Sequence, residues 1–220
     1  LNANGGTISV RPKTAGTPLN LGGFDVLTGS PKTLGLTDQE LDGMSAGQIL
    51  LGDSTTGPVT VSAAISRSSS TNVSLTSAGA IQFTTGSIST AGGNLTLDAG
   101  TFVSPAASGV DATVGTLSFS PGDQLALALN GTTVDSQYRR LNVAGGVHLT
   151  GVTLALSGTY TPVFNDRFTL VENDGIDAIV GTFAGLPEGA VIENFLGGGL
   201  PAQLSYVGGS GNDVVLTIQS

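Results

Sequence analysis

The 220-residue chain has no cysteine and no tryptophan, and only one histidine. Without cysteine there are no disulfides, no thiolate metal sites and no thiol nucleophiles. A single histidine, His148, excludes His-based triads and multi-His metal centres, leaving at most one imidazole acid/base. Charge is also scarce: 10% of residues are charged, and 7 basic side chains against 16 acidic ones give a net charge of −9. That balance disfavours nucleic acid and anionic membrane surfaces as partners. No apolar stretch approaches the roughly 18 to 20 residues that a membrane-spanning helix needs, so a soluble protein is expected. Residue 1 is Leu, which fits a processed product or a piece of something longer, and no signal peptide is left to read.

What the chain does contain is 34 glycines, with abundant Ser, Thr, Val and Leu, and a repeat. Val73-Ser74-Leu75-Thr76, Leu95-Thr96-Leu97-Asp98 and Leu117-Ser118-Phe119-Ser120 place apolar residues at 73, 95 and 117 and again at 75, 97 and 119. The step is 22 residues, and Ile81 and Val103, like Val61 and Phe83, keep it in a second phase. A fixed period in this range, carried by alternating apolar and polar residues, predicts a coil in which each turn lays a strand on the one before. Five or six such rungs would make a rod of roughly 25 to 30 Å. The expected fold class is therefore all-β: a right-handed parallel β-helix of about 22 residues per rung, with a β-rich C-terminal cap or continuation.

Two portions are expected. Residues 1–120 read as β-helix rungs, starting with strand-like pieces at Thr7 to Val10, Leu19 to Leu21 and Phe24 to Leu27. A short helical insertion near 37–43 interrupts them. There Thr37 and Glu40 have capping-box spacing and Gly43 supplies a stop. Residues 121–220 form the C-terminal β-rich portion, in which strand candidates lengthen (Gln124 to Leu129, Val152 to Leu156, Phe168 to Val171, Asp213 to Ile218) and the 22-residue register is lost. Wider rungs and an antiparallel cap both fit. Some cap is required, because the last rung of an open solenoid presents unpaired backbone groups and apolar side chains.

Leu34 to Asp42, Ala46 to Asp53, Gly57 to Val61 and Gly92 to Gly100 resemble the repeat regions of filamentous-haemagglutinin-like exoproteins of Gram-negative bacteria. Gln137-Tyr138 with Leu141 to Val143, Gly181 to Gly189 and Leu204 to Leu216 are similar to terminal segments of such exoproteins and of autotransporter passengers. The resemblance covers nearly the whole chain and implies a right-handed β-helix in an extracellular setting. The residues given hold no Asn-Pro-Asn-Gly-type secretion motif and no membrane β-barrel, departures that fit the far end of a longer exoprotein or a short self-contained relative.

Candidate sites are few. Gly208-Gly-Ser-Gly-Asn-Asp213-Val-Val-Leu216 fits the calcium nonapeptide pattern at every fixed position. Calcium needs six to eight oxygens, however, and one copy supplies few. Asp213 is the metal candidate and calcium the cofactor candidate, the alternative being a Gly-rich hairpin in which Asp213 caps the final strand. Glu172, Asp174 and Asp177 offer carboxylates on one loop, either for a metal or glycoside-cleaving pair or as a solvated turn. Arg139 and Arg140 beside Tyr138 suit either a carboxylated sugar, through bidentate arginine and aromatic stacking, or ion pairs with Asp135 or Asp123. Asp38, Glu40 and Asp42 read as serving the dipole of the short helix. His148 reads as an outward residue of an alternating strand.

No catalytic residue is assigned, and a non-enzymatic role is expected: an extracellular, cell-surface or matrix protein that adheres or assembles. Its partners would be glycans or cell-surface and matrix components, with self-association through terminal strands into fibres as one alternative. Polysaccharide cleavage on a β-helix flank is another.

Overall fold

In the computed structural model, which describes residues 1–100, 102–104 and 111–220, the chain is all-β with large, mostly parallel sheets. Its first half runs β1 (Thr7–Val10), β2 (Leu19–Leu21), β3 (Leu34–Leu36), helix α1 (Asp38–Asp42), β4 (Gln48–Gly52), β5 (Val59–Val61), β6 (Ile65–Ser66), β7 (Asn72–Thr76), β8 (Ala80–Phe83), β9 (Ile88–Ser89), β10 (Leu95–Asp98) and β11 (Phe102–Ser104). Its second half runs β12 (Ala112–Phe119), β13 (Gln124–Ala128), β14 (Leu141–His148), β15 (Thr153–Ser157), β16 (Arg167–Asn173), β17 (Ile179–Val180), β18 (Val191–Ile192), β19 (Ala202–Gly208) and β20 (Asp213–Ile218). One sheet has the order β1-β4-β7-β10-β12-β14-β16-β20-β19-β18, and the other β3-β2-β5-β8-β11-β13-β15. A short edge group, β6-β9, joins the first sheet at β12.

The 22-residue spacing is realised as strand register. Val73 pairs with Leu95 and Leu95 with Leu117, while Leu75 pairs with Leu97 and Leu97 with Phe119. In the second sheet Val61 pairs with Phe83 and Ile81 with Val103. Because side chains alternate across a strand, this register stacks like on like. Leu19, Val59, Ile81 and Leu125 are all fully buried. Glycine lets neighbouring segments approach closely: a Cβ on Gly93 would lie 2.2 Å from the Thr71 carbonyl oxygen. Beyond β12 the spacing widens to 30 residues at Leu117 with Val147 and Leu141 with Val171, and to 29 at Leu125 with Leu154. An antiparallel group follows: β20 pairs with β16, β19 with β20 and β18 with β19.

Two local expectations need correction. Phe24 to Leu27 is no strand. Val26 makes a single antiparallel bridge to Thr33, and Phe24 and Leu27 are exposed, because the loop crosses the outer face of β3 at Gly35. Gly43 ends α1 as expected, in a right-handed conformation (φ −68°). Asp42 lies at the C-terminal end of α1, where it faces Arg67 at 3.7 Å and does not serve the N-terminal dipole. The capping box itself is present: Thr37 Oγ1 accepts from the Glu40 N–H, and the Glu40 carboxylate accepts from the Thr37 N–H at 2.9 Å. The Thr37 N–H first, and then the Thr37 hydroxyl, which donates to the same carboxylate at 2.8 Å, hold the Glu40 carboxyl below its ordinary pKa.

Candidate functional site

A groove forms on the outer face of the first sheet, where β14 meets β16. Asn142 and Glu172 are paired in register, so their side chains stand side by side on that face. Arg140, just ahead of β14, donates from Nε to Asn142 Oδ1 at 2.8 Å and pairs through its guanidinium with Glu172. The loop after β16 is folded against β14, Asp174 Oδ1 accepting from the Gly145 N–H at 2.8 Å. Together with Asp135 and Ser210 these groups line a groove of about 440 Å³.

Three segments nominated separately in the sequence therefore meet in one place. The Arg139–Arg140 segment gives one wall, the Glu172–Asp174 stretch the other, and the Gly-rich 208–213 turn lies beneath. The turn is bolted to the loop by two asparagines. Asn212 Nδ2 donates to the carbonyls of Asp174, Gly175 and Asp177 at 3.1 to 3.3 Å. Asn173 Nδ2 donates to Asp177 O at 2.6 Å. Asn173 Oδ1 is buried without a hydrogen-bond partner. Neither asparagine stood out in the sequence. The only signal was their placement in loop-type contexts, Glu-Asn-Asp-Gly and Gly-Asn-Asp, where Asn side chains bond nearby backbone.

Asp213, the calcium candidate, begins β20 with its side chain buried. Oδ1 accepts from the Asn173 N–H at 2.9 Å and Oδ2 from the Ser210 N–H at 3.4 Å, so both oxygens are engaged in fastening the turn to β16. No group of three or more His, Asp or Glu side chains suited to a metal occurs among the described residues. Asp177, the third carboxylate of the loop, contributes its main-chain oxygen to the asparagine bonds.

Tyr138 is buried, packed edge-to-face on Phe168 with ring centroids 5.3 Å apart, and is not placed to stack on a sugar. Burial pushes its phenol pKa up. Arg139 reaches Asp135 at 3.5 Å. Asp123 makes no ion pair with either arginine. Its carboxylate is buried and accepts from the Ser120 and Ala99 N–H groups, and desolvation raises its pKa. His148 is exposed at the end of β14, in register with Ser118.

Beyond the groove the outer face is a hydroxyl-rich strip. Ser9, Leu50, Ser74, Thr96, Ser118 and His148 follow one another in register across six strands. Beside them the Asn72 carboxamide accepts from the Asn94 N–H at 2.9 Å, 22 residues on. In the groove arginine and carboxylate are bonded to each other. The strip presents uncharged hydrogen-bond donors and acceptors and the groove is acidic, with Asp135, Glu172 and Asp174 against Arg140, which suits a neutral, polyhydroxylic or amide-bearing ligand better than an anionic one. Among the described residues no helix is long and apolar enough to cross a membrane. No protein-family model, no curated protein and no solved structure matches the chain.

Proposed function

We propose that this chain is an extracellular β-helical protein of bacterial origin that presents a repetitive polar surface to glycans or to cell-surface and matrix components. The observation that carries the reading is the in-register strip Ser9-Leu50-Ser74-Thr96-Ser118-His148. At Ser74, Thr96 and Ser118, strands about 4.8 Å apart repeat a hydroxyl at a fixed interval. One hydroxyl contact is worth only about 0.5 to 1.5 kcal/mol net. Useful affinity must then come from many contacts made by one long ligand, each raising the effective concentration for the next. The Arg140–Glu172 groove offers a concave seat beside that surface. A winding fold is supported by the chain's alternate visits to the two sheets, and its right hand by the general rule for crossovers between parallel strands. Export and the filamentous-haemagglutinin-like kinship are supported by the sequence resemblance and by the absence of cysteine.

The test is binding of neutral and acidic polysaccharides of graded length to the wild type and to Ser74→Ala/Thr96→Ala/Ser118→Ala. The wild type should bind more tightly as chain length grows, and the triple variant should lose at least tenfold with its melting temperature unchanged. Absence of binding to every glycan tried, or equal binding by the triple variant, would refute the proposal.

A further inference from the structure

The second sheet ends, on the C-terminal side, in a strand with no further strand on its outer edge among the described residues. β15 pairs only with β13. The Thr153 N–H donates to Asp123 O at 2.8 Å, and Ser157 O accepts from the Leu129 N–H at 2.7 Å, so the odd-numbered residues face β13. Alternation along a parallel strand turns the N–H and C=O groups of Leu154 and Leu156 outward. The neighbouring Val152 carbonyl is taken by the Ala184 N–H, but no hydrogen bond reaches Leu154 or Leu156 from that side among the described residues. Their side chains are only half-buried, whereas Leu125 and Leu127, one strand below, are fully buried.

Three other strands are protected. On β3 the outward Gly35 N–H is held by Asp25 Oδ1 at 2.8 Å. β1 runs directly into Arg11 and Pro12, and β16 is covered by β20. Charge, proline and cover are the usual protections of an edge, and β15, Thr-Leu-Ala-Leu-Ser, has none of them.

We propose that β15 is a dimerisation edge and that its occupant is β15 of a second copy, running antiparallel about a two-fold axis through Ala155. The strand is self-complementary about that residue. Thr153 would meet Ser157 of the second copy, Leu154 would meet Leu156, and Ala155 would meet Ala155. The outward groups of Leu154 and Leu156 are the ones that an antiparallel partner centred there engages, giving four hydrogen bonds across the axis. A two-fold contact uses the same patch on both chains and closes on itself, so the product is a dimer and not a fibre. Pairing also covers the half-buried leucines.

The experiment is sedimentation and light scattering of the whole chain over a range of concentrations. The wild type should reach twice the 21.8 kDa chain mass. Ala155→Lys, which sets two ammonium groups against each other on the outer face, should stay monomeric. An equimolar mixture of Ala155→Lys and Ala155→Glu should recover the dimer. Because the chain has no cysteine, Ala155→Cys supplies an independent readout. Opposed non-hydrogen-bonded residues lie about 4.5 Å apart at Cα, within disulfide reach, so mild oxidation should give a covalent dimer. A wild type that stays at the monomer mass without cross-linking of Ala155→Cys would overturn the proposal. So would a dimer indifferent to Ala155→Lys, or growth beyond two copies. No glycan enters these measurements, so their failure is separable from failure of the adhesive reading.

Discussion

Leu97 lies between Leu75 and Phe119 in one column, with no exposed surface. Full burial of such a side chain contributes about 1.5 to 3 kcal/mol, and an unpaired charge in its place costs more. Leu97→Asp should therefore give insoluble or protease-sensitive protein; a soluble variant with unchanged circular dichroism would remove Leu97 from the core. Asp123 poses the opposite problem, a carboxyl already buried. Its pKa is raised above the ordinary 3.8, first by desolvation, while the bonds from Ser120 and Ala99 oppose the shift. A raised carboxyl pKa favours the fold below the unfolded value, and this contribution is lost as pH rises through the folded value. Asp123→Asn sacrifices one N–H acceptor at every pH but escapes the cost of ionisation. The difference in melting temperature, variant minus wild type, should thus move in the variant's favour between pH 3 and pH 7. A difference that stays constant with pH would show that burial of Asp123 has no titration consequence.

At the scale of elements, α1 is fastened at both ends by one segment of the chain. Asp38 accepts from the Ser66 N–H at 2.7 Å, and Arg67, itself buried, donates to the carbonyls of Leu41 and Met44. The last turn of α1 has no basic residue of its own, so Arg67 satisfies the C-terminal carbonyls from 23 to 26 residues away. The helix, with Leu41 and Met44 buried, thereby packs beside β6. Arg67→Met keeps the aliphatic stem but strands those carbonyls, each worth about 1 to 3 kcal/mol when left unpaired. The expected loss is about 2 kcal/mol, or several degrees in thermal melting, at about 2 to 4 °C per kcal/mol for a chain of this size. Melting equal to wild type would mean that water replaces the guanidinium.

For the whole molecule, the decisive asymmetry is between two sheets that end differently. The first closes with β20, β19 and β18 laid antiparallel on β16, burying Phe168, Leu204 and Leu216 together with Phe195 of the preceding turn. Ending the chain at Gly199 removes β19 and β20 and leaves β16 as a bare edge over an apolar floor. Such a truncation should aggregate as seen by light scattering, and a dispersed, cooperatively melting product would show that the cap is dispensable. The second sheet stops at β15 without that cover.

The sequence alone determined the register of the strands from β7 to β12, because a core that buries every second residue must repeat whatever spacing brings leucine over leucine. It also determined α1, since a capping box is satisfied within four residues. The loop trio, the arginine pair and the Gly-rich turn were each legible as segments, but not as one groove: they lie up to 74 residues apart between Arg139 and Asp213, and only the pairing of β14 with β16 and of β16 with β20 brings them together. Tyr138 read as a surface aromatic because polarity patterns do not reveal which way a turn residue points, and packing on Phe168 decided it. Arg67 was invisible as a cap for the same reason. Local periodicity is written in the spacing of side chains along one strand, whereas edges, grooves and long-range caps depend on which strand has a neighbour, and that is settled only when the sheets close.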